Sequence, residues 1–210
     1  VRRGPGDRAV PVSDASPYER FRRSMDIGFE QWHDGIGYDL DALAEASPED
    51  RTAIETLLVP RAGNDWRDIE ALAALGTPRA DRALADAFAT AGPEIRVAIL
   101  RDAPHVIPAD RVDAELVRLV DECDLGLGMT HVLTLVEDLH PPAVVDALLR
   151  GTLDEHRSVP VHYAAMLLYL HGQAAEPFDW EVRPFVLRFA DSGPDERQAA
   201  YRELCERIGR

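Results

Sequence analysis

Residues 65–90 read DWRDIEALAALGTPRADRALADAFAT, and the two helices they encode set the pattern for the rest of the chain. Asp65 suits an N-cap, its carboxylate answering the unpaired N–H groups of a first turn that also carries Asp68. Ile69, Leu72 and Ala73 then line one face at helical spacing, and Gly76 ends the run. Thr77-Pro78 restarts a helix at once, with Thr77 as cap and Pro78 at the first helical position, where a missing N–H costs nothing. Ala80, Ala83, Leu84, Ala87 and Phe88 recur at intervals of three and four. Trp66, at the start of the first helix, is expected to pack between hairpins. A hairpin of this size cannot bury its apolar faces alone, so it needs similar hairpins on either side, which is the logic of a helical repeat array.

Working outward, such hairpins follow one another. Leu40, Leu43 and Ala44 share a face. Ser47-Pro48-Glu49-Asp50 then makes a cap with an acidic first turn, and Ala53, Ile54, Leu57 and Leu58 form the next stripe. Gly92-Pro93 opens another helix, and its partner begins near Pro108-Ala109 and carries Val112, Leu116, Leu119, Val120 and Cys123. Met129, Val132, Leu133 and Val136 pair with a helix begun by Pro141-Pro142. The run from Val161 to His171 is apolar nearly all round and should be the most buried helix. Asp179-Trp180 repeats the Asp65-Trp66 helix start, but Pro184 delays or kinks that helix, to a start near Arg183. Gly193-Pro194 opens the last one. Strand-like alternation is missing throughout.

The N-terminal part reads differently. Residues 1–16 lack apolar periodicity and are expected to form a disordered tail. From Pro17, the positions Tyr18, Phe21, Met25, Phe29 and Trp32 make one helical stripe, a cap for the array. The His33-Asp34-Gly35-Ile36-Gly37-Tyr38-Asp39 turn follows, with Asp39 placed to cap the next helix. The expected organisation is therefore a tail over 1–16, a capping helix and turn over 17–37, and a repeat domain over 38–210.

Two sets of echoes carry the repetition. Pro48, Pro93 and Pro194 each open the pattern Pro, acid, any residue, Arg, any residue, Ala, and Pro78, Pro108, Pro142 and Pro177 recur at intervals of 30, 34 and 35 residues. On these openings, and on the Pro-led second helices, residues 38–208 resemble the HEAT-like branch of the armadillo-type α-solenoids. The resemblance implies an all-α fold, a right-handed α-α superhelix of about five helical hairpins. The Gly126 and Gly128 segment and Pro184 depart from regular repeats.

Charge narrows the function classes. The chain carries a formal net charge of −15, and residues 1–25 hold six arginines against Asp7, Asp14 and Glu19, so the remainder is more acidic still. Such a surface repels phosphate backbones and attracts basic proteins, which disfavours nucleic acid as partner. All the basic residues are arginine and none is lysine, a usage that points to a GC-rich, bacterial genome. The absence of a long apolar run argues against a membrane span, and a cytoplasmic location is expected. Cys123 and Cys205 are too few for a disulfide framework or a cysteine zinc site.

No phosphate-binding Gly-Lys-Ser/Thr loop, Gly-x-Ser-x-Gly elbow, His-Glu-x-x-His or EF-hand loop occurs. The seven histidines show no i, i+3 or i, i+4 pair, so neither metal nor cofactor is expected. Two groups of residues remain. Asp110, Asp113, Glu115, Asp121, Glu122 and Asp124 lie mostly on one second helix, with Arg111 and Arg118 as local counter-charges, and would form an acidic binding face. Trp32, His33, Asp34, Tyr38 and Asp39, with Asp65, Trp66 and Asp68, could supply an aromatic and acidic groove. The leading expectation is a non-catalytic protein-binding module, such as an immunity or inhibitor protein for a basic effector. The alternative rests on the resemblance, since some HEAT-like proteins act as glycosylases or lyases through such grooves.

Overall fold

The computed structural model describes residues 15–124, 128–190 and 193–210. The expected tail lies outside the described residues up to residue 14, as do residues 125–127 of the Gly126 segment. Thirteen α-helices occur among the described residues: α1 (Pro17–Ser24), α2 (Phe29–His33), α3 (Leu40–Glu45), α4 (Pro48–Leu58), α5 (Trp66–Leu75), α6 (Pro78–Thr90), α7 (Pro93–Asp102), α8 (Ala109–Glu122), α9 (Met129–Asp138), α10 (Pro142–Gly151), α11 (Pro160–Leu170), α12 (Arg183–Val186) and α13 (Pro194–Arg207). Among those residues there is no strand, and no helix is long and apolar enough to cross a membrane. The chain divides into two compact units, Val1–Asp86 and Ala87–Arg210.

Local chemistry sets the helix ends. Pro48, Pro93 and Pro194 each stand at the first position of a helix, where a fixed φ and an absent N–H are harmless. Ser16 and Glu19 form a reciprocal capping box on α1. Asp39, Ser47 and Asp65 each accept a backbone N–H at the start of α3, α4 and α5. Gly76 closes α5 at φ 61°, in the left-handed region that a side chain would resist.

In the first unit α1 packs on α3 and α4, and both of these pack on α5, around Phe21, Leu43, Ile54, Leu58, Ile69 and Leu72. Arg51, from the repeated Pro-acid-x-Arg-x-Ala opening, donates to the carbonyls of Leu43 and Leu75 at 3.0 Å each. It thereby staples α4 to α3 and to the last turn of α5.

The N-terminal stripe does not form one helix. Ser24 ends α1, its hydroxyl donating to Phe21 O at 2.7 Å and accepting the Asp39 N–H at 2.8 Å. Gly28 then stands outside the helices as the N-cap of α2, since a glycine inside a helix costs about 1 kcal/mol. Only Phe21 of α1 is buried and nothing of α2 is, so the expected cap reduces to α1, and Phe29 and Trp32 remain 75% and 63% exposed.

In the second unit helices again pack on the next and the next but one: α7 on α8 and α9, α8 on α9 and α10, α11 on α9, α10, α12 and α13. As expected, α11 is the buried centre, with Tyr163 to Leu168 all enclosed. Its Tyr163 hydroxyl donates to Val120 O at 2.5 Å and lies 3.1 Å from the Cys123 thiol. Arg157 donates to the carbonyls of Val120 and Cys123 and to the same hydroxyl. The end of α8 is thus sealed by side chains. The helix after Pro177 starts at Arg183, as Pro184 requires. Trp180 therefore lies in a turn and not at a helix start, and the Asp179 carboxylate accepts the N–H groups of Ala175 and Glu181 at 2.9 Å and 2.8 Å.

Gly151 lets the α11 ring approach α10. A Cβ there would lie 2.4 Å from the Tyr163 ring, whereas one on Gly63 would meet nothing within 4 Å. Gly151→Ala should lower stability by about 1–3 kcal/mol through overpacking, and Gly63→Ala should change it little; denaturant unfolding of the two variants measures the difference.

Candidate functional site

The turn at residues 33–39 splits into an exposed and a buried half. Trp32, His33 and Asp34 are exposed, His33 Nδ1 lying 3.1 Å from its neighbour Asp34 Oδ1. Tyr38 is turned inward, and its hydroxyl donates to Asp68 Oδ1 at 3.1 Å. Arg61 Nε donates to the same oxygen at 3.0 Å. Asp68 is fully buried and its Oδ2 has no hydrogen-bond partner among the described residues. Burial raises the Asp68 pKa against the opposing pull of Arg61. Burial, followed by the Asp68 charge, pushes the Tyr38 hydroxyl up to about 12.

Asp65 and Trp66 serve Arg67, a residue whose role was not legible in the sequence. Its side chain is 2% exposed and pairs with Asp65 Oδ2 at 3.2 Å. Its Nε donates to Ile36 O at 2.6 Å, and its guanidinium lies 4.5 Å from the Trp66 ring centre. Trp66 is half-buried rather than enclosed between hairpins. The structure thus joins Tyr38, Asp68, Asp65 and Trp66 into a clamp holding the turn to α5, Asp39 into the α3 cap, and leaves Trp32, His33 and Asp34 on the surface.

The acidic run on α8 carries more counter-charge than its own helix supplies. Arg96 of α7, 4% exposed, lies 2.7 Å from Glu115 Oε1, close as an ion pair though out of line for a hydrogen bond. It donates to Glu122 Oε2 at 2.6 Å, and Arg118 Nε donates to Glu122 Oε1 at 2.7 Å. Arg118, with Arg96 behind it, holds the Glu122 carboxyl below its ordinary range. Asp121 pairs with Arg150 of α10 at 3.2 Å, and Asp124 accepts the Ser158 N–H at 3.0 Å. Asp110 and Asp113 remain exposed. Neutralising Glu122 therefore disturbs a packed ion cluster as well as a surface charge.

A third arrangement escaped the sequence entirely. In the second unit a cavity of about 550 Å³ opens between α9, α11 and the loop that follows α11, within the range of small-molecule pockets. One face of α9 supplies Met129, Thr130, Leu133, Thr134 and Glu137; α11 supplies His162 and Met166; the loop supplies Glu176, Pro177 and Phe178. Tyr169 donates to Glu137 Oε1 at 2.9 Å. The His162 and Phe178 rings meet edge to face at 5.5 Å. His162 Nδ1 is buried without a hydrogen bond among the described residues, and burial lowers its pKa, the Ser158 carbonyl opposing this. Met129 and Leu133 follow core spacing and Met166 lies in the apolar run of α11; Phe178, which lines the same cavity, comes from a loop without periodicity.

Compared with protein-family models, with curated proteins and with solved structures, the chain gives no significant match.

Glu115→Gln should destabilise by about 1–3 kcal/mol, because it leaves buried Arg96 short of a counter-charge, while Asp113→Asn should stay within about 0.5 kcal/mol of wild type. Thermal unfolding separates the two. For His162 the depressed pKa means that the folded state prefers the neutral ring. That stability is complete above the unfolded-state value of about 6.5 and is lost as pH falls below it. Wild type should therefore lose more stability than His162→Gln between about pH 7 and about pH 5, as urea midpoints at the two pH values would show.

Proposed function

We propose that the chain is a HEAT-like helical repeat protein that binds a protein partner with a basic surface and performs no chemistry of its own. The repeat reading is supported by the three Pro-acid-x-Arg-x-Ala openings, each of which begins a helix, and by next-but-one packing within each unit. The binding reading is carried by the disposition of charge. Carboxylates outnumber arginines by the formal −15, and arginines such as Arg51, Arg67, Arg96 and Arg157 are spent on carbonyls and carboxylates of their own fold. The surplus left outside is acidic, with Asp110 and Asp113 exposed on α8. Acidic fields of this kind speed encounter with basic proteins and fix their orientation. An inhibitor or immunity protein for a basic effector, in a bacterial cytoplasm that leaves Cys123 and Cys205 as free thiols, is the form that fits best. The alternative, a glycosylase-type or lyase-type groove, would draw on Asp68, which is sealed behind Tyr38 and Arg61, on Asp65, which is paired with Arg67, or on Trp32, His33 and Asp34 at the exposed end of α2.

Basic proteins encoded beside this chain are the partners to test, by co-expression and stopped-flow association. Asp110→Asn with Asp113→Asn should slow association about two- to fivefold at low salt and flatten its salt dependence, with little change in the off-rate. An association rate indifferent both to salt and to the double variant overturns the acidic-face reading.

A further inference from the structure

The cavity between α9, α11 and the loop at residues 176–178 has the composition of a ligand site, independent of the acidic face on α8. Its floor is apolar and adaptable: Met129, Leu133 and Met166 present thioethers and a branched aliphatic group, which mould to a ligand body. Phe178 and His162 set two rings at 71° along one wall. The charged groups of the lining are both carboxylates, Glu137 and Glu176, and no arginine stands among the described lining residues. Tyr169 holds one Glu137 oxygen through a 2.9 Å hydrogen bond, so that carboxylate is oriented rather than free to swing into water. His162, its pKa lowered by burial, stays neutral near pH 7 and does not offset the two negative charges. An anion would meet two like charges along the lining, whereas a neutral apolar molecule would gain nothing from them.

We propose that this cavity binds a small amphipathic organic cation, its apolar body on Met129, Leu133 and Met166 beside Phe178 and its cationic head drawn to the carboxylates of the lining, Glu137 and Glu176. The volume of about 550 Å³ suits a free molecule with one aryl or branched alkyl body. The carboxylates supply selectivity for charge more than raw affinity, since partly exposed ion pairs contribute about 1 kcal/mol at most, or about fivefold. Binding then depends on the apolar floor for strength and on Glu137 and Glu176 for choice of ligand.

The methionines provide the test. The chain holds three; Met129 and Met166 line the cavity, and Met25 follows α1 in the other unit. In the full chain labelled with ¹³C at the methionine methyls, 4-phenylbutylamine, an ammonium at neutral pH, should shift the Met129 and Met166 signals saturably and leave Met25 in place. The isosteric 4-phenylbutanol should bind up to about fivefold more weakly, and 4-phenylbutyrate more weakly still. Glu137→Gln with Glu176→Gln should bring the amine down to the affinity of the alcohol, provided melting shows the variant folded; the comparison of three head groups on wild type needs no variant. Equal affinity for all three head groups would show an apolar hole without charge selection and overturn the proposal. So would the absence of any saturable shift. If a basic peptide with an aromatic residue moved these signals while the free amine did not, the cavity would be an anchor point for a protein and the free-ligand proposal would fail.

Discussion

The second unit depends on one demand: α11 is apolar on every side and must be covered on every side. Six successive buried residues, Tyr163 to Leu168, leave no face for water, so α9, α10, α12 and α13 gather around this helix. The cost of any gap in that cover is large per unit area, because exposed apolar surface loses about 25 cal/mol per Å². The cover is closed on the α10 side by the missing side chain of Gly151, which admits the Tyr163 ring. It is thinner towards α9, where a cavity lined by α9, by His162 and Met166 and by residues 176–178 opens.

Arginine does the joining elsewhere. With no lysine in the chain, every cation is a planar fork that can bind two acceptors at once and that tolerates burial when both are filled. Arg51 takes two helix-end carbonyls, Arg157 takes the carbonyls that finish α8, and Arg67 takes a carbonyl and a carboxylate under Trp66. The Arg51 and Arg157 contacts satisfy carbonyls that a short helix leaves unpaired at its end. The acidity of the molecule follows from composition, 38 carboxylates against 23 arginines, and only Arg67 and Arg96 among the described arginines are buried.

The three candidate groups of residues differ in how they were brought together. The α8 carboxylates are neighbours in sequence and on one helix, so their proximity could be read directly. Their neutralisation could not, because Arg96 and Arg150 reach them from α7 and α10. The Tyr38, Arg61 and Asp68 cluster joins residues up to 30 positions apart, and the full burial of Asp68 depends on partners outside its own helix. The cavity joins Met129 to Phe178 across nearly fifty positions, with no motif at either end.

The sequence by itself determined the helices and most of their limits. Caps, prolines at first positions, Gly76 and the three- and four-residue spacing of aliphatic residues are local signals, and a helix is a local structure whose hydrogen bonds close within four residues. The start of α12 at Arg183, the Asp39 cap and the burial of α11 were all legible for that reason. Only tertiary structure decided that the stripe from Tyr18 to Trp32 breaks at Ser24, since the break is set by a hydroxyl shared with Asp39. It alone decided which charges remain at the surface and where a cavity opens. Those outcomes depend on what lies opposite each face, and facing partners here are separated by 15 to 49 residues of chain, a distance over which spacing rules carry no information.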